Sequence, residues 1–472
     1  MQPQNKNFKH SVADALKNIS LQTALKNLNT GFVSKRRTAI ENLPEFDQIR
    51  DYSVEIKNHA LQYLDFYLQE FEKQVKQQGG QVHWAEDADD ACHIAIAIAH
   101  DVNAKLITKG KSMVTEEIGL NKAFINAGFN VVETDLGEYI IQLRDEAPSH
   151  IVVPAIHVLK EQVAENFFEA HKQFDSNRSL NNPEEIVSEA RHVLRDKFLS
   201  ADIGVTGANF LIAENGAVII VTNEGNGDLT QTCANTHIVV AGIEKIVPTI
   251  NDAMNLLRLL PRSATGQEIT SYVTFAFGSR RKDDLDGPEN YHVILVDNGR
   301  SKMLGTEMAD MLRCIRCGAC LNHCPVYSAI GGQAYGSVYP GPMGAVLSPS
   351  LFGIKHHHDL PNASTFCGRC EQVCPMRIPL PKMMRHYREQ EFTQKISPLT
   401  IRAGLKSWAF VAKNPWLYHL VMSVVSIALR VFGSKKGRSQ RFLGASSWTE
   451  FRDIPIPASK TFHALWRAKE QK

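Results

Sequence analysis

From about residue 8 to residue 78, apolar side chains recur at helical intervals in a background of Lys, Gln, Asn and Glu, as in Tyr63, Leu64, Tyr67, Leu68 and Phe71. The pattern stops at Gly79-Gly80, so residues 1–80 are expected to form a helical lead-in. Beyond it the rhythm changes. Short apolar runs alternate with helical stretches: Gln81-Val-His-Trp, Lys105-Leu-Ile-Thr, Asn130-Val-Val-Glu, His150-Ile-Val-Val, Gly216-Ala-Val-Ile-Ile-Val, His237-Ile-Val-Val-Ala and His292-Val-Ile-Leu-Val. Runs of this length read as buried strands, and their alternation with helices predicts an α/β layer fold over residues 81–300. One connecting helix is well marked: Pro183 to Leu199 opens on Pro and two acids and carries apolar residues at helical spacing.

After Pro379-Leu-Pro381, basic helical sequence from Lys382 to Gln394 leads into a C-terminal helical region, residues 396–472, with Trp408, Trp416, Trp448 and Trp466. Its expected role is a helical cap rather than a docking surface. The most apolar stretch, Trp416 to Phe432, contains His419 and Arg430. The uncharged interval left is shorter than the ~20 residues of a spanning helix, so no transmembrane segment is expected. A buried or partner-facing helix is the first reading and peripheral membrane contact the second. The polar start, Met1 to Ser20, has no apolar run of the signal-peptide kind, which predicts a cytoplasmic location.

The 472 residues suffice for two or three domains, and 43% hydrophobic with 22% charged residues is globular composition. Lys plus Arg (52) nearly balances Asp plus Glu (50), so the positive field that nucleic-acid binding exploits is missing.

Seven of the nine cysteines fall between Cys314 and Cys374, within a region expected at residues 301–395. Close spacing in a large chain without a secretion signal favours metal ligation over disulfides. The first group, Cys314-Ile-Arg-Cys317-Gly-Ala-Cys320-Leu-Asn-His-Cys324-Pro325, follows the C-x2-C-x2-C-x3-C-P order of two-cluster ferredoxins. The second, Cys367-Gly-Arg-Cys370-Glu-Gln-Val-Cys374-Pro375, repeats its last three cysteines and places Ser364 where the leading one would stand. In that motif the fourth cysteine serves the other cluster. Cys314, Cys317, Cys320 and Cys374 are therefore expected to hold a four-iron (4Fe-4S) cluster, and Cys324, Cys367 and Cys370 a second, four-iron or three-iron (3Fe-4S), cluster. Its open corner falls to Ser364, to solvent or to a partner group. Zinc leaves this order unexplained, and no C-x-x-C is followed by the His of a haem site. Cys92 and Cys233 read as small core residues. His356, His357 and His358 read as an exposed loop without an assigned role. Arg313, Arg316, Arg369 and Arg377 would offset cluster charge, dock an acidic partner or lie on solvated surface.

Two loops in the α/β region are candidate ligand contacts, Lys109 to Glu117 and Thr222 to Gly227. Each is equally a tight turn with a helix cap. No G-x-G-x-x-G, Walker loop or nucleophile elbow is present.

Taken together, Lys111-Ser-Met-Val-Thr-Glu-Glu-Ile, Glu133-Thr-Asp-Leu-Gly-Glu, Val221-Thr-Asn-Glu-Gly-Asn, Asp286-Gly-Pro-Glu, Val296-Asp-Asn-Gly-Arg300, Arg313-Cys-Ile-Arg-Cys-Gly-Ala-Cys and Tyr339-Pro-Gly-Pro resemble the lactate-utilization protein B family over nearly the whole chain. The resemblance implies a CoA-transferase-like α/β lactate-utilization domain joined to an α-helical two-cluster ferredoxin-type domain. It also implies an iron-sulfur electron-transfer subunit acting in oxidation of L-lactate to pyruvate, with companion lactate-utilization subunits and an electron acceptor. On that reading the chain is a redox subunit rather than a stand-alone catalyst, and no catalytic residue is assigned. The competing readings are an enzyme that transforms an acyl or 2-hydroxy-acid substrate in the α/β domain, with Lys111, Glu116 and Glu224 as its polar groups, and a non-catalytic iron-sulfur sensor.

Overall fold

The computed structural model describes residues 8–431, 438–439 and 454–470. Phe432 and Trp448 lie outside them. The chain divides into two compact units, Met1–Gln390 and Glu391–Lys472.

The first unit opens with helices from Phe8–Lys17 to Leu64–Gln77, as the apolar periodicity predicts. A six-stranded sheet follows, built from β1 (Gln81–Ala85), β2 (Leu106–Lys109), β3 (Asn130–Glu133), β4 (Ile203–Thr206), β7 (Thr236–Gly242) and β10 (Asn290–Val296). Its order is β1-β10-β7-β4-β2-β3, and every pair is parallel. Parallel strands are covered on both faces, which is why β7 and β10 carry unbroken apolar runs, Ile-Val-Val-Ala from Ile238 and Val-Ile-Leu-Val from Val293, instead of alternating. The chain leaves β2 toward β3 on one side and leaves β4 toward β7 on the other, so the carboxyl ends of β2 and β4 flank a topological switch point.

A second sheet, β5 (Phe210–Ile212), β6 (Val218–Thr222), β8 (Ile246–Val247) and β9 (Tyr272–Ala276), has the order β8-β5-β6-β9. Its buried face shares one continuous core with the N-terminal helices and the cysteine-bearing region: Ile49, Phe210, Ile219, Leu256, Met311, Leu321 and Met383 belong to the same cluster. The helix Pro183–Leu199 forms where its pattern placed it, closed by a capping box between Asn182 and Glu185.

His150-Ile-Val-Val is a correction: it is a loop, not a strand. The fully buried His150 ring accepts the backbone N–H groups of Val152 and Val153 at its Nδ1 (3.0 and 3.1 Å), which closes a turn where an apolar run alone would extend. A second correction concerns His356 to His358. Ile354–His357 is a short helix, with His357 buried against the Phe352 ring (centroids 5.5 Å apart).

In the second unit, the helices Leu399–Lys413, Pro415–Val431 and Phe462–Glu470 contain no buried residue, so the apolar stretch from Trp416 is not a core helix. Among the described residues no helix is long and apolar enough to cross a membrane.

Candidate functional site

The two cysteine groups share a backbone. Arg316 and Phe366, each directly before a cysteine, have φ of 59° and 54°, and Gly318 and Gly368, each directly after it, have φ of 74° and 80°. Left-handed residues on both sides fold each C-x-x-C into a tight loop that leads into a one-turn helix, Ala319–Asn322 in one and Arg369–Gln372 in the other. Within this repeat Ser364 occupies the place of Cys314, and its Oγ accepts the Phe366 N–H at 3.2 Å. The helix Pro325–Ile330 starts at Pro325, with the Cys324 sulfur accepting the Tyr327 N–H at 3.5 Å.

The folded chain sorts the seven cysteines into two small cavities. Cys314, Cys317, Cys320 and Cys374 line one, with Ile151, Met311, Met343 and Met376. Cys324, Cys367 and Cys370 line the other, together with Ser364. All nine cysteines of the chain are free thiols. Among the described residues no three His, Cys, Asp or Glu side chains are gathered closely enough to hold a single metal ion. A cluster carries its thiolates at separated corners, so the donor set fits a polynuclear iron-sulfur group and not a lone zinc.

Exposure varies within each cavity. In the first, Cys317 and Cys374 are buried and Cys314 and Cys320 half-buried; in the second, Cys324 and Cys370 are buried and Cys367 is exposed. Burial pushes the Cys317 thiol up to about 12, with the Ala319 N–H and Arg36 opposing it. Burial likewise raises Cys374 to about 11, against the N–H groups of Ile378 and Met376 and the Arg50 charge, and Cys370 to about 12. Such thiols stay protonated until a metal displaces the proton.

Cations surround the first cavity. Arg36 donates to the Val373 carbonyl (2.8 Å) and Arg50 to that of Cys374 (2.7 Å). The Arg316 guanidinium sits 5.1 Å above the Tyr339 ring and 3.2 Å from Glu244. Of the four arginines singled out by the sequence, Arg313 and Arg316 are enclosed and Arg369 and Arg377 are exposed.

Next to the first cavity lies a cleft of about 370 Å³. It opens at the carboxyl ends of the parallel strands, where α/β sheets hold their ligands. Its walls include Gly110 and Lys111 after β2, Asp135 after β3, Gly207 after β4 and Lys245 after β7. Gly207 is required here, because a Cβ would come within 2.5 Å of the Ser112 hydroxyl. Ile151 lines both the cleft and the first cavity, and Arg316, between Cys314 and Cys317 in sequence, lines the cleft as well.

Both candidate loops reach this cleft, so Lys111 and Glu224 stand in one site, while Ser112 also caps the helix Met113–Ile118. Lys111 donates to the Val152 carbonyl. Glu224 is open to solvent over part of its surface, yet burial of its carboxyl and the nearby Asp135 push its pKa up to about 7. Glu116 is not among the cleft walls; it pairs with buried Lys109 (2.9 Å), which also holds Glu133 (2.8 Å). Cys92 donates to the Ile118 carbonyl and Cys233 packs on a side core, so neither joins a site. Lys245 escaped the sequence reading. Its only signal is a charged pair, Glu244-Lys245, immediately beyond a wholly buried strand.

Comparisons with known proteins match three successive stretches of the chain. The LUD domain family matches residues 68–296, the 4Fe-4S dicluster domain residues 310–378, and the C-terminal domain of lactate utilisation protein B residues 379–471. A lactate utilization protein B from Oceanobacillus iheyensis is 42% identical over 98% of this chain and 97% of its own. Those from Macrococcus caseolyticus and Bacillus subtilis are 43% and 41% identical, over 97% and 98% of this chain and 96% of each relative. Among solved structures, a DUF162 family protein from Deinococcus radiodurans is 16% identical, covers 49% of this chain and 98% of its own, and has a TM-score of 0.29, too slight a likeness to carry an argument. With the α/β region, the cysteine region and the C-terminal region each matched, and full-length relatives well above the level of chance likeness, the chain belongs to the lactate utilization protein B family.

Proposed function

We propose that this protein is the iron-sulfur electron-transfer subunit of a cytoplasmic system that oxidises L-lactate to pyruvate, working with companion lactate-utilization subunits and a further electron acceptor. The observation that carries the reading is the sorting of seven cysteines into two neighbouring cavities, the second with exposed Cys367 on its wall. Cys314, Cys317, Cys320 and Cys374 would hold a four-iron cluster, and Cys324, Cys367 and Cys370 a second cluster with Ser364 at its fourth corner. When bound, such clusters supply one-electron carriers for the two electrons released in oxidising a 2-hydroxy acid to a 2-oxo acid.

The chain's own residues set the direction of traffic. Arg36, Arg50 and Arg316 place positive charge around the first site and favour the anionic thiolate set there. The first site adjoins the cleft through Ile151 and Arg316, and exposed Cys367 and Arg369 at the second suit that side to electron exchange with a partner. Electrons therefore enter near the cleft and leave near Cys367.

Anaerobic reconstitution with the companion subunits tests the reading. Lactate should bleach the visible absorbance of this chain in the mixture, while the chain alone should oxidise no lactate. Turnover by the isolated chain would instead favour an enzyme acting in the α/β cleft.

A further inference from the structure

Lys245 is an unusual residue for an ion-pair-rich interior. It is only 6% exposed, it lines the cleft, and its ammonium has no hydrogen bond or ion pair among the described residues. Its neighbours are all committed. Glu244 is held by Arg300 (2.6 Å) and Arg316 (3.2 Å), Lys57 is spent on the Glu244 and Ile246 carbonyls, and Lys111 on that of Val152. An enclosed cation without a partner is costly, and one aimed into a cavity at the carboxyl ends of β2, β3, β4 and β7 is a place made for an anion. The cleft walls also carry Asp135 and Glu224, close to one another, so the lining offers both cations and carboxyls able to hydrogen-bond a hydroxyl or carbonyl oxygen.

We propose that the cleft binds a small 2-hydroxy or 2-oxo carboxylate, its carboxylate on Lys245 and its second oxygen toward Glu224. The class of acid rests on the lactate reading above; the existence of an anion site rests on Lys245 alone. A ligand there lies one side-chain layer, Ile151 and Arg316, from Cys314 and Cys317. The α/β domain then does more than dock partners: it brings the acid to the entrance of the relay.

The test is calorimetric titration of the anaerobically purified full chain with L-lactate, pyruvate and, as a carboxylate without the second oxygen, acetate. Lactate or pyruvate should bind and acetate at least tenfold more weakly. Lys245→Gln should weaken binding about tenfold or more, the scale of one charge-assisted hydrogen bond, and Lys245→Arg should retain most of it. Because Lys245→Gln could also disturb the fold, amine-selective labelling of the native chain provides a second measurement, in which lactate should protect Lys245. No heat and no protection would overturn the proposal, as would equal binding of acetate or unchanged binding in Lys245→Gln. If that variant shifted only the cluster spectrum and left ligand binding intact, Lys245 would belong to the cluster's charge balance, and the proposal would fall. Binding without lactate-dependent bleaching in the reconstituted system would refute the relay and leave the site standing, so the two failures are distinguishable.

Discussion

Arg300 and Glu117 meet through two parallel hydrogen bonds, Nη1 to Oε1 at 2.8 Å and Nη2 to Oε2 at 2.7 Å, with both side chains fully buried. Arg300 Nε also reaches Glu244 (2.6 Å), and the Tyr339 hydroxyl donates to Glu117 (2.5 Å). Through Glu244 the network continues to Arg316 between the cysteines, so one ion network ties the parallel sheet to the first cysteine cavity. Burial alone would raise the Glu244 pKa; Arg300 and Arg316 outweigh it and hold the carboxyl at about 2.

Removing the shared cation leaves buried Glu117 without an ion-pair partner and Glu244 with Arg316 alone. Arg300→Met should therefore lose about 3–5 kcal/mol of stability, read by urea unfolding under nitrogen. Arg300→Lys should recover only part of this, because an ammonium cannot reproduce the planar fork. A loss below about 1 kcal/mol in Arg300→Met would mean that solvent reaches the network.

The second cysteine cavity has an oxygen where its twin has a sulfur. Ser364 Oγ holds the Phe366 N–H, as a cluster ligand in that turn would. Ser364→Cys should add a fourth thiolate and slow loss of iron from the second site on brief exposure to air, followed by iron analysis and EPR. The native protein should lose iron from that site before the other. Equal resistance of native and variant proteins would show that another group already completes the corner.

What the sequence made legible follows from distance along the chain. The cysteine groups are local, with spacing that carries the geometry, and left-handed residues stand at corresponding positions around Cys317 and Cys367. Five of the six parallel strands, β1, β2, β3, β7 and β10, were legible as short apolar runs, whereas β4, Ile203-Gly-Val-Thr, was not, because Gly204 and Thr206 break its run. Glu117 and Arg300 were not, since a pair 183 positions apart leaves no periodic trace. The strands β5, β8 and β9 were also missed: β5 and β8 have three and two residues, too few for a pattern, and β9, Tyr272-Val-Thr-Phe-Ala, has no continuous apolar run. Ile151-Val-Val looked like a strand, and only the position of the His150 ring makes it a turn.

Crossed ligation makes a prediction that simple ligation does not. Cys374 belongs to the second cysteine group in sequence but lines the cavity of the first, whereas Cys370, four residues earlier, lines the other. Cys374→Ser should thus perturb the same spectral component as Cys314→Ser, and Cys370→Ser the same component as Cys324→Ser, by EPR of dithionite-reduced protein. Pairing of Cys374 with Cys370 in this experiment would require each group to hold its own cluster.

The last prediction concerns acid. His237 is buried on β7, with Nε2 2.7 Å from the Thr206 hydroxyl and its ring against Tyr291, centroids 5.3 Å apart. Burial lowers its pKa from 6.5 to about 3. The unfolded chain binds a proton at this residue below about pH 6.5 while the folded chain does not, so the stability it contributes is complete above that pH and is lost as the pH falls toward 3. By pH 5 the loss should reach about 2 kcal/mol relative to pH 8, from ~1.4 kcal/mol per unit. Acid-labile clusters would add their own slope, so the quantity to measure is a difference. The stability of native protein, followed by urea unfolding from pH 8 to pH 5, should fall more steeply than that of His237→Gln, by up to one proton per molecule. Parallel slopes would place a proton on folded His237 and contradict its burial as a neutral ring.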